Sequence, residues 1–154
     1  MSHVADVDCK IRDLAAFKAA VEALGGEYLP NETKIRWYGK FLNDWTEEQG
    51  SATGRAAVNR ISAKRFGTTD AGVARFPGTS YDLGLLKNDD GSYTPYFDSY
   101  GTGMELAKKL GGMDCTKLKN EYAAAVAIRT MARKGFRVTR SVNKAGAIVL
   151  SATA

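Results

Sequence analysis

The first helix is predicted from residues 13–24, where apolar side chains recur at helical spacing along one stripe: Leu14, Phe17, Val21 and Leu24. Such a stripe is typical of a helix that packs one side against a core. Asp13 stands at the start of the pattern and is a favourable N-cap residue. Gly25 and Gly26 come directly after Leu24, the last residue of the stripe, and glycine favours the left-handed conformation that ends a helix. The segment is therefore predicted as one amphipathic helix.

Residues 33–41 follow a different period, because polar or aromatic positions alternate with apolar ones. One face carries Lys34, Arg36, Tyr38 and Lys40, and the other carries Ile35, Trp37 and Phe41. A period of two residues is that of a half-buried strand. We expect the basic face of this strand to meet solvent.

Shorter patterns predict the remaining elements. Strands are expected at residues 4–11, 73–76, 81–87, 92–98, 136–142 and 147–151. Asp90-Gly91 supplies the turn of the hairpin formed by the third and fourth of these. Thr102 is expected to cap a short helix ending at Gly111, and Thr116 to cap a longer helix over 117–134. The sum is an α+β fold with a mostly antiparallel sheet and about three helices on one face.

Residues 42–72 show no sustained period and are punctuated by glycines. We expect a long loop or insertion there, carrying the basic residues Arg55, Arg60, Lys64 and Arg65. Loops of this length inside a compact domain are often functional. The whole chain, residues 1–154, otherwise has the size of a single α+β domain.

Composition narrows the class of protein. Hydrophobic residues make up 44% and charged residues 25% of the chain, as in a globular protein. The longest apolar runs, 123–128 and 145–150, are too short to cross a bilayer, and charged residues interrupt the N-terminal segment. Cys9 and Cys115 have no CxxC partner, so we expect reduced thiols. The expectation is a cytoplasmic protein without a membrane partner.

Charge is distributed unevenly along the chain. Residues 117–154 contain eight basic residues and one acidic residue, Glu121, whereas residues 1–116 contain fourteen basic and sixteen acidic residues. Such asymmetry suggests a polyanionic partner, most often nucleic acid. A basic, solvated face without a ligand accounts for the same charges equally well.

Catalytic patterns are absent from the sequence. His3 is the only histidine, so a nucleophile–histidine pair would have to use a residue beside the N-terminus. Gly101-Thr102-Gly103 lacks the spacing of a phosphate-binding loop. We expect no catalytic residues, no metal site and no cofactor, although a small enzyme or metal site around His3, Asp6 and Asp8 remains an alternative.

Three stretches of the sequence carry a family resemblance. They are Ile11-Arg12-Asp13-Leu14 after the first strand, Arg75-Phe76-Pro77-Gly78 leading into residues 81–91, and Asn120-Glu121-Tyr122-Ala123 with the closing hairpin. This layout resembles a family of small uncharacterised proteins in cyanobacterial and plastid genomes and in phages. With residues 36–40 and the long loop, it is most similar to the Drc-like members, the phage single-stranded-DNA-binding RNA polymerase cofactors. The resemblance implies a fold unlike the OB-fold, binding of unpaired DNA, and contact with a phage-encoded RNA polymerase.

Single strands are bound by cations that follow the phosphates and by aromatic rings on which bases stack. Three surfaces offer these groups. The candidate DNA-binding residues are Lys34, Arg36, Tyr38, Lys40 and Trp45 on and after the basic strand, Arg55, Arg60, Lys64 and Arg65 in the loop, and Tyr122, Arg129, Arg133, Lys134, Arg137, Arg140 and Lys144 near the C-terminus. Within the last group, Arg140 shares a strand face with apolar residues, so it must emerge at a strand end or meet an acid.

The sequence thus favours a non-enzymatic single-stranded-DNA-binding protein and cofactor of phage RNA polymerase. Self-association into a homo-oligomer is expected, because joining several shallow sites raises avidity on one strand. The alternative is a protein–protein adaptor that docks its basic surface on an acidic polymerase or host partner.

Overall fold

A computed structural model of the chain describes residues 4–37, 67–99 and 103–154. Over these ranges the elements run in the order β1 (Val4–Asp6), α1 (Leu14–Ala23), β2 (Glu27–Leu29), β3 (Val73–Arg75), β4 (Leu83–Lys87), β5 (Tyr93–Asp98), α2 (Gly103–Leu110), α3 (Thr116–Arg133), β6 (Arg137–Val142) and β7 (Ile148–Thr153). Residues 38–41 of the predicted basic strand, most of the loop at 42–72 and the predicted cap Thr102 lie outside the described residues.

Five strands form one antiparallel sheet in the order β1-β5-β4-β3-β2, and β6 pairs with β7 in a separate hairpin. Every strand pair is antiparallel. The α+β class is therefore confirmed as a single domain, and over the described ranges the five-stranded sheet is open rather than closed into a barrel.

The two faces of this sheet are covered differently. On one face the three helices pack on alternate strand residues, forming a core that includes Phe17, Leu85, Phe97, Leu106 and Leu118. On the opposite face a smaller cluster contains Ile35, Val73, Leu86 and Tyr96. The alternation follows from the strand period of two residues. Ile35, in the second cluster, packs on the face away from the helices.

The locally encoded elements formed as predicted. The Asp13 side chain accepts hydrogen bonds from the backbone N–H groups of Ala15 and Ala16, at 3.0 and 3.1 Å, and so caps α1. Gly25 follows α1 with φ of 84°. Asn88 and Ser92 close the β4–β5 hairpin, where the backbone N–H of Asn88 donates to the Ser92 carbonyl.

Three predictions about elements were wrong in part. Residues 33–37 do not form a strand: they make one isolated bridge, between Lys34 and Thr68, with backbone hydrogen bonds on either side of it. Packing of Ile35 and hydrogen bonds from Arg36 to Asp82 also hold the segment. Thr116 is the first residue of α3 and not its cap, because Cys115 occupies that position with φ of 54° and makes no side-chain capping bond. The first strand ends at Asp6, and β2 was not predicted.

Neither cysteine forms a disulfide, and burial keeps one of the two thiols protonated. Cys9 and Cys115 are both free. Burial raises the pKa of Cys115 to about 12, so this thiol stays protonated and unreactive in the folded protein. Among the described helices, none has the length and apolarity needed to cross a membrane.

Candidate nucleic-acid interface

The C-terminal end of α3 turns directly into the β6–β7 hairpin. Gly135 has φ of 87°, and its backbone N–H donates to Ala132 while that of Phe136 donates to Met131, at 3.0 and 3.1 Å. This pairing of the last helical carbonyls is a glycine-based helix end. It brings the basic end of the helix and the start of β6 into one tight corner.

The hairpin rests on α3 through one of its two faces. Leu150 and Ile148 line a groove of about 360 Å³ against Ala124 and Ala127 of α3. The other face consists of every second residue of β6 and β7, and all of these residues are exposed: Arg137, Thr139, Ser141, Val149, Ser151 and Thr153. The outer face is thus a hydroxyl-rich surface with an arginine at one end.

An exposed aromatic ring lies in the corner. Phe136 is 40% exposed and stands between Lys134-Gly135 and Arg137 in the sequence. Phe136 was predicted only as the first residue of a strand and is not among the candidate binding residues. The basic residues on both sides of it are the sequence signal that could have marked it as a candidate, since proteins that bind single strands combine aromatic rings with nearby cations.

Three basic residues lie near Phe136 in the sequence, and a fourth lies in the hairpin turn. Arg133, Lys134, Arg137 and Lys144 are exposed, and within the part of the chain that the structure describes none of them has an ion-pair partner. Lys144 lies in the hairpin turn, at the far end of strands six residues long, or roughly 20 Å from the corner. We call Arg133, Lys134, Phe136, Arg137 and Lys144 the C-terminal basic surface.

Two predicted binding residues of α3 have structural partners instead. Tyr122 is 9% exposed, and its hydroxyl accepts the backbone N–H groups of Arg12 and Asp13 at 2.8 and 3.1 Å. Tyr122 was predicted to bind DNA, but its ring is buried because that side of α3 packs on α1. Arg129 donates through Nε to the Asp13 carboxylate at 2.8 Å.

Arg140 meets an acid, as its position required. Its two terminal nitrogens donate to the Glu121 carboxylate at 2.7 and 2.6 Å. The hydrogen bond from Arg140 to Glu121 also raises the pKa of the guanidinium. The pair fastens β6 to α3, so Arg140 holds the hairpin in place rather than adding a free charge to its outer face.

The described part of the predicted basic strand contains two cations, Lys34, which has no ion-pair partner among the described residues, and Arg36, which is paired. Lys34 is exposed. Arg36 contacts Asp82, which is fully buried and also binds Arg75: Nε of Arg36 and Nε of Arg75 lie 3.0 and 3.1 Å from Oδ1. Burial raises the pKa of Asp82, but the hydrogen bonds from Arg75 and Arg36 outweigh it and hold the pKa below its usual value. Asp82 is therefore ionised between two arginines.

This cluster borders a cleft of about 400 Å³ whose lining includes Arg36, Arg75, Glu27 and Gly78. The backbone N–H of Arg36 donates to Asp82 at 2.9 Å, and that of Asp82 donates to the Arg36 carbonyl at 2.9 Å. The cluster thus pins residues 33–37 to the sheet. Neither Arg75 nor Asp82 was singled out as a charged partner of Arg36 from the sequence.

The remaining predicted binding residues are not part of the described ranges: Tyr38, Lys40, Trp45, Arg55, Arg60, Lys64 and Arg65. Of the three candidate surfaces, the C-terminal one is the surface that the structure describes in full.

Over the described ranges no three His, Cys, Asp or Glu side chains gather as a metal site would require. Comparison of the chain with protein-family models, curated proteins and solved structures finds no match.

Proposed function

We propose that this chain is a non-enzymatic protein that binds single-stranded DNA with little dependence on sequence. The observation that carries the proposal is the exposed ring of Phe136 in the corner that also holds Arg133, Lys134 and Arg137, with Lys144 at the far end of the hairpin. None of these four cations has an ion-pair partner among the described residues. Bases of a single strand stack on such a ring, while the cations neutralise the neighbouring phosphates. In a duplex the bases already stack on one another, so the ring favours the single strand.

The cations set how binding depends on salt. Each phosphate neutralised on a single strand lowers the logarithm of the binding constant by about 0.7 per tenfold rise in salt. Arg133, Lys134, Arg137 and Lys144 together would therefore give a slope of roughly −3. A larger slope would indicate that basic residues outside this surface also contact the strand.

A fluorescence-anisotropy titration tests the proposal, with labelled single-stranded and duplex oligonucleotides at several salt concentrations. Phe136→Ala is expected to weaken single-strand binding by about 1–3 kcal/mol, and Arg137→Gln to make the salt slope less steep by about 0.7. Lys109→Gln is the matched charge control, because Lys109 is exposed on α2 near the other end of α3. It should leave both quantities unchanged.

The transcriptional role rests on the family resemblance. Within the proposal the protein acts as a cofactor of phage RNA polymerase in the host cytoplasm, keeping the unpaired template accessible. Co-sedimentation with that polymerase, with and without single-stranded DNA, tests this part separately from DNA binding.

A protein–protein adaptor is the competing function, because the same exposed cations suit an acidic protein surface. It would replace the DNA-binding proposal if polymerase bound the protein while single-stranded DNA at low salt gave flat titration curves. Phe136→Ala would then have no effect on any DNA measurement.

A further inference from the structure

The strand β7 has one edge that no other described strand pairs with. It lies beside β6 on one side only, in a hairpin separate from the five-stranded sheet. A two-stranded hairpin is marginally stable by itself in water. Here, on the face toward α3, Val138, Ile148 and Leu150 are only half-buried, so this packing alone gives the hairpin modest support.

The hydrogen-bond pattern shows which groups point outward along that edge. The backbone N–H of Asn143 donates to the Ala147 carbonyl at 3.0 Å, which makes these two residues a hydrogen-bonded pair. Hydrogen-bonded and non-hydrogen-bonded pairs alternate in an antiparallel ladder. Ile148, Leu150 and Ala152 consequently direct their N–H and C=O groups away from β6.

The two edges of the hairpin differ in charge. The β6 edge carries Arg137 and Arg140, whereas β7 has no charged residue, no proline and no glycine over Ile148–Thr153. Charges and prolines are the usual protection of a free edge, and an uncharged edge of β-favouring residues is open to pairing. Val149, on the outer face of β7, is 41% exposed and adds apolar surface next to that edge.

We propose that β7 pairs antiparallel with β7 of a second copy of this chain. An antiparallel pair of identical strands has two-fold symmetry, so the edge is complementary to itself. With the axis at Leu150, this residue faces its own copy, and Ile148 faces Ala152 of the second copy. The result is a four-stranded sheet in the order β6-β7-β7-β6, whose charged edges lie outermost.

Other arrangements of the hairpin are less favourable. Pairing through β6 would bring Arg137 of each copy onto the shared sheet, and like charges on facing strands oppose pairing, while Arg140 is already neutralised by Glu121. The β7 interface has no such repulsion. It would also join the outer faces of two hairpins into one surface, although the dimer itself does not depend on DNA binding.

Sedimentation velocity of the DNA-free protein, from low-micromolar to millimolar concentration, is the test. The wild-type chain is expected to pass from monomer to dimer over this range. Ala152→Pro removes an outward N–H from each copy and should weaken the dimer about tenfold or more. Val142→Pro is the matched control, since by the same alternation its N–H points outward from the β6 edge, and it should leave dimerisation unchanged.

Cross-linking tests the register without relying on proline. In the proposed dimer Val149 of one copy faces Ser151 of the other, with Cβ atoms about 4.5–5.5 Å apart. A mixture of Val149→Cys and Ser151→Cys chains should form disulfide-linked heterodimers under mild oxidation, in clear excess over either homodimer. Circular dichroism of each variant checks that the hairpin is intact.

Two results would overturn the proposal. One is a wild-type chain that stays monomeric over the whole concentration range. The other is a dimer that Val142→Pro weakens and Ala152→Pro does not. Because no DNA is present, neither result bears on single-strand binding, and loss of DNA binding would leave this dimer standing.

Discussion

Arg129 on α3 donates a 2.8 Å hydrogen bond from Nε to the carboxylate of Asp13, the residue that caps α1. The two carboxylate oxygens of Asp13 have different partners. Oδ1 accepts hydrogen bonds from the backbone N–H groups at the start of α1, and Oδ2 accepts the hydrogen bond from Arg129. One side chain therefore begins one helix and fixes it to another that lies more than a hundred residues later in the chain.

Substitution separates these two contributions. Asp13→Ala loses the cap and the ion pair and should lower the free energy of unfolding by about 1–2 kcal/mol. Asp13→Asn keeps a capping oxygen and loses only the charge, so its cost should stay below about 1 kcal/mol, as for a partly exposed ion pair. Urea denaturation measures both, and Arg129→Gln should match Asp13→Asn. Equal losses for the two Asp13 variants would show that the cap contributes nothing.

Acid should destabilise the protein through three carboxyl groups. The hydrogen bond from Arg129 lowers the pKa of Asp13, and hydrogen bonds from Ser92 lower that of Asp90. Burial raises the pKa of Asp82, but the hydrogen bonds from Arg75 and Arg36 have the larger combined effect, so its pKa is lowered overall. A carboxyl whose pKa is lower in the folded than in the unfolded chain stabilises the fold fully above the unfolded value, about 3.9, and progressively less as pH falls below it.

The expected result is a urea midpoint that is level between about pH 5 and 7 and falls steadily below about pH 4. Asp13→Asn should show a smaller fall than the wild-type protein, because it lacks one of the three groups. A midpoint that does not change between neutral pH and about pH 3 would contradict the lowered pKa values.

The buried carboxylate of Asp82 should be the most sensitive position of the sheet. Its oxygens satisfy Arg36 and Arg75, whose side chains are 46% and 29% exposed. Asp82→Asn removes the buried charge and leaves two guanidinium groups that water still reaches, so it should cost about 1–3 kcal/mol through the charged hydrogen bonds that are lost.

Loss of either arginine should cost less than loss of Asp82, because the other arginine still neutralises the carboxylate. Arg36→Gln should be the milder of the two, since Arg36 is more exposed than Arg75. Thermal denaturation of the three single variants tests the order. An Asp82→Asn protein as stable as the wild type would show that the cluster is solvated and contributes little.

Local signals accounted for much of the fold. Asp13, Gly25 and the Asp90-Gly91 turn each act within a few residues, and the structure places all three where the sequence indicated. For Arg140 the sequence predicted either a strand end or an acidic partner, and the structure shows the second, with Glu121 as a partner that was not named beforehand. Residues 33–37 resembled a strand in their alternation, yet a partner strand is what makes one, and periodicity does not supply it.

The contacts between distant parts of the chain, which decide which side chains are exposed, could not be predicted from the sequence. The helical period shows that Tyr122 and Arg129 share a side of α3, but not that α1 covers this side. The pairing of Arg36 with Asp82 spans 46 residues and depends on how the chain crosses the sheet. The exposure of Phe136 was not predicted either: the sequence placed this residue at the start of a strand, whereas it follows a tight helix end and its ring is 40% exposed.

Tyr122 and Phe136 should therefore respond in opposite ways to substitution. Tyr122→Phe keeps the buried ring but leaves the backbone N–H groups of Arg12 and Asp13 without their acceptor, so the free energy of unfolding should fall by about 1–3 kcal/mol, with affinity for single-stranded DNA unchanged. Phe136→Ala alters a surface ring and should change stability by less than about 1 kcal/mol, while weakening DNA binding by about 1–3 kcal/mol. Urea denaturation and fluorescence anisotropy on the same protein samples measure both effects. A Tyr122→Phe protein of wild-type stability that binds DNA more weakly would reverse the assignment and return Tyr122 to the binding surface.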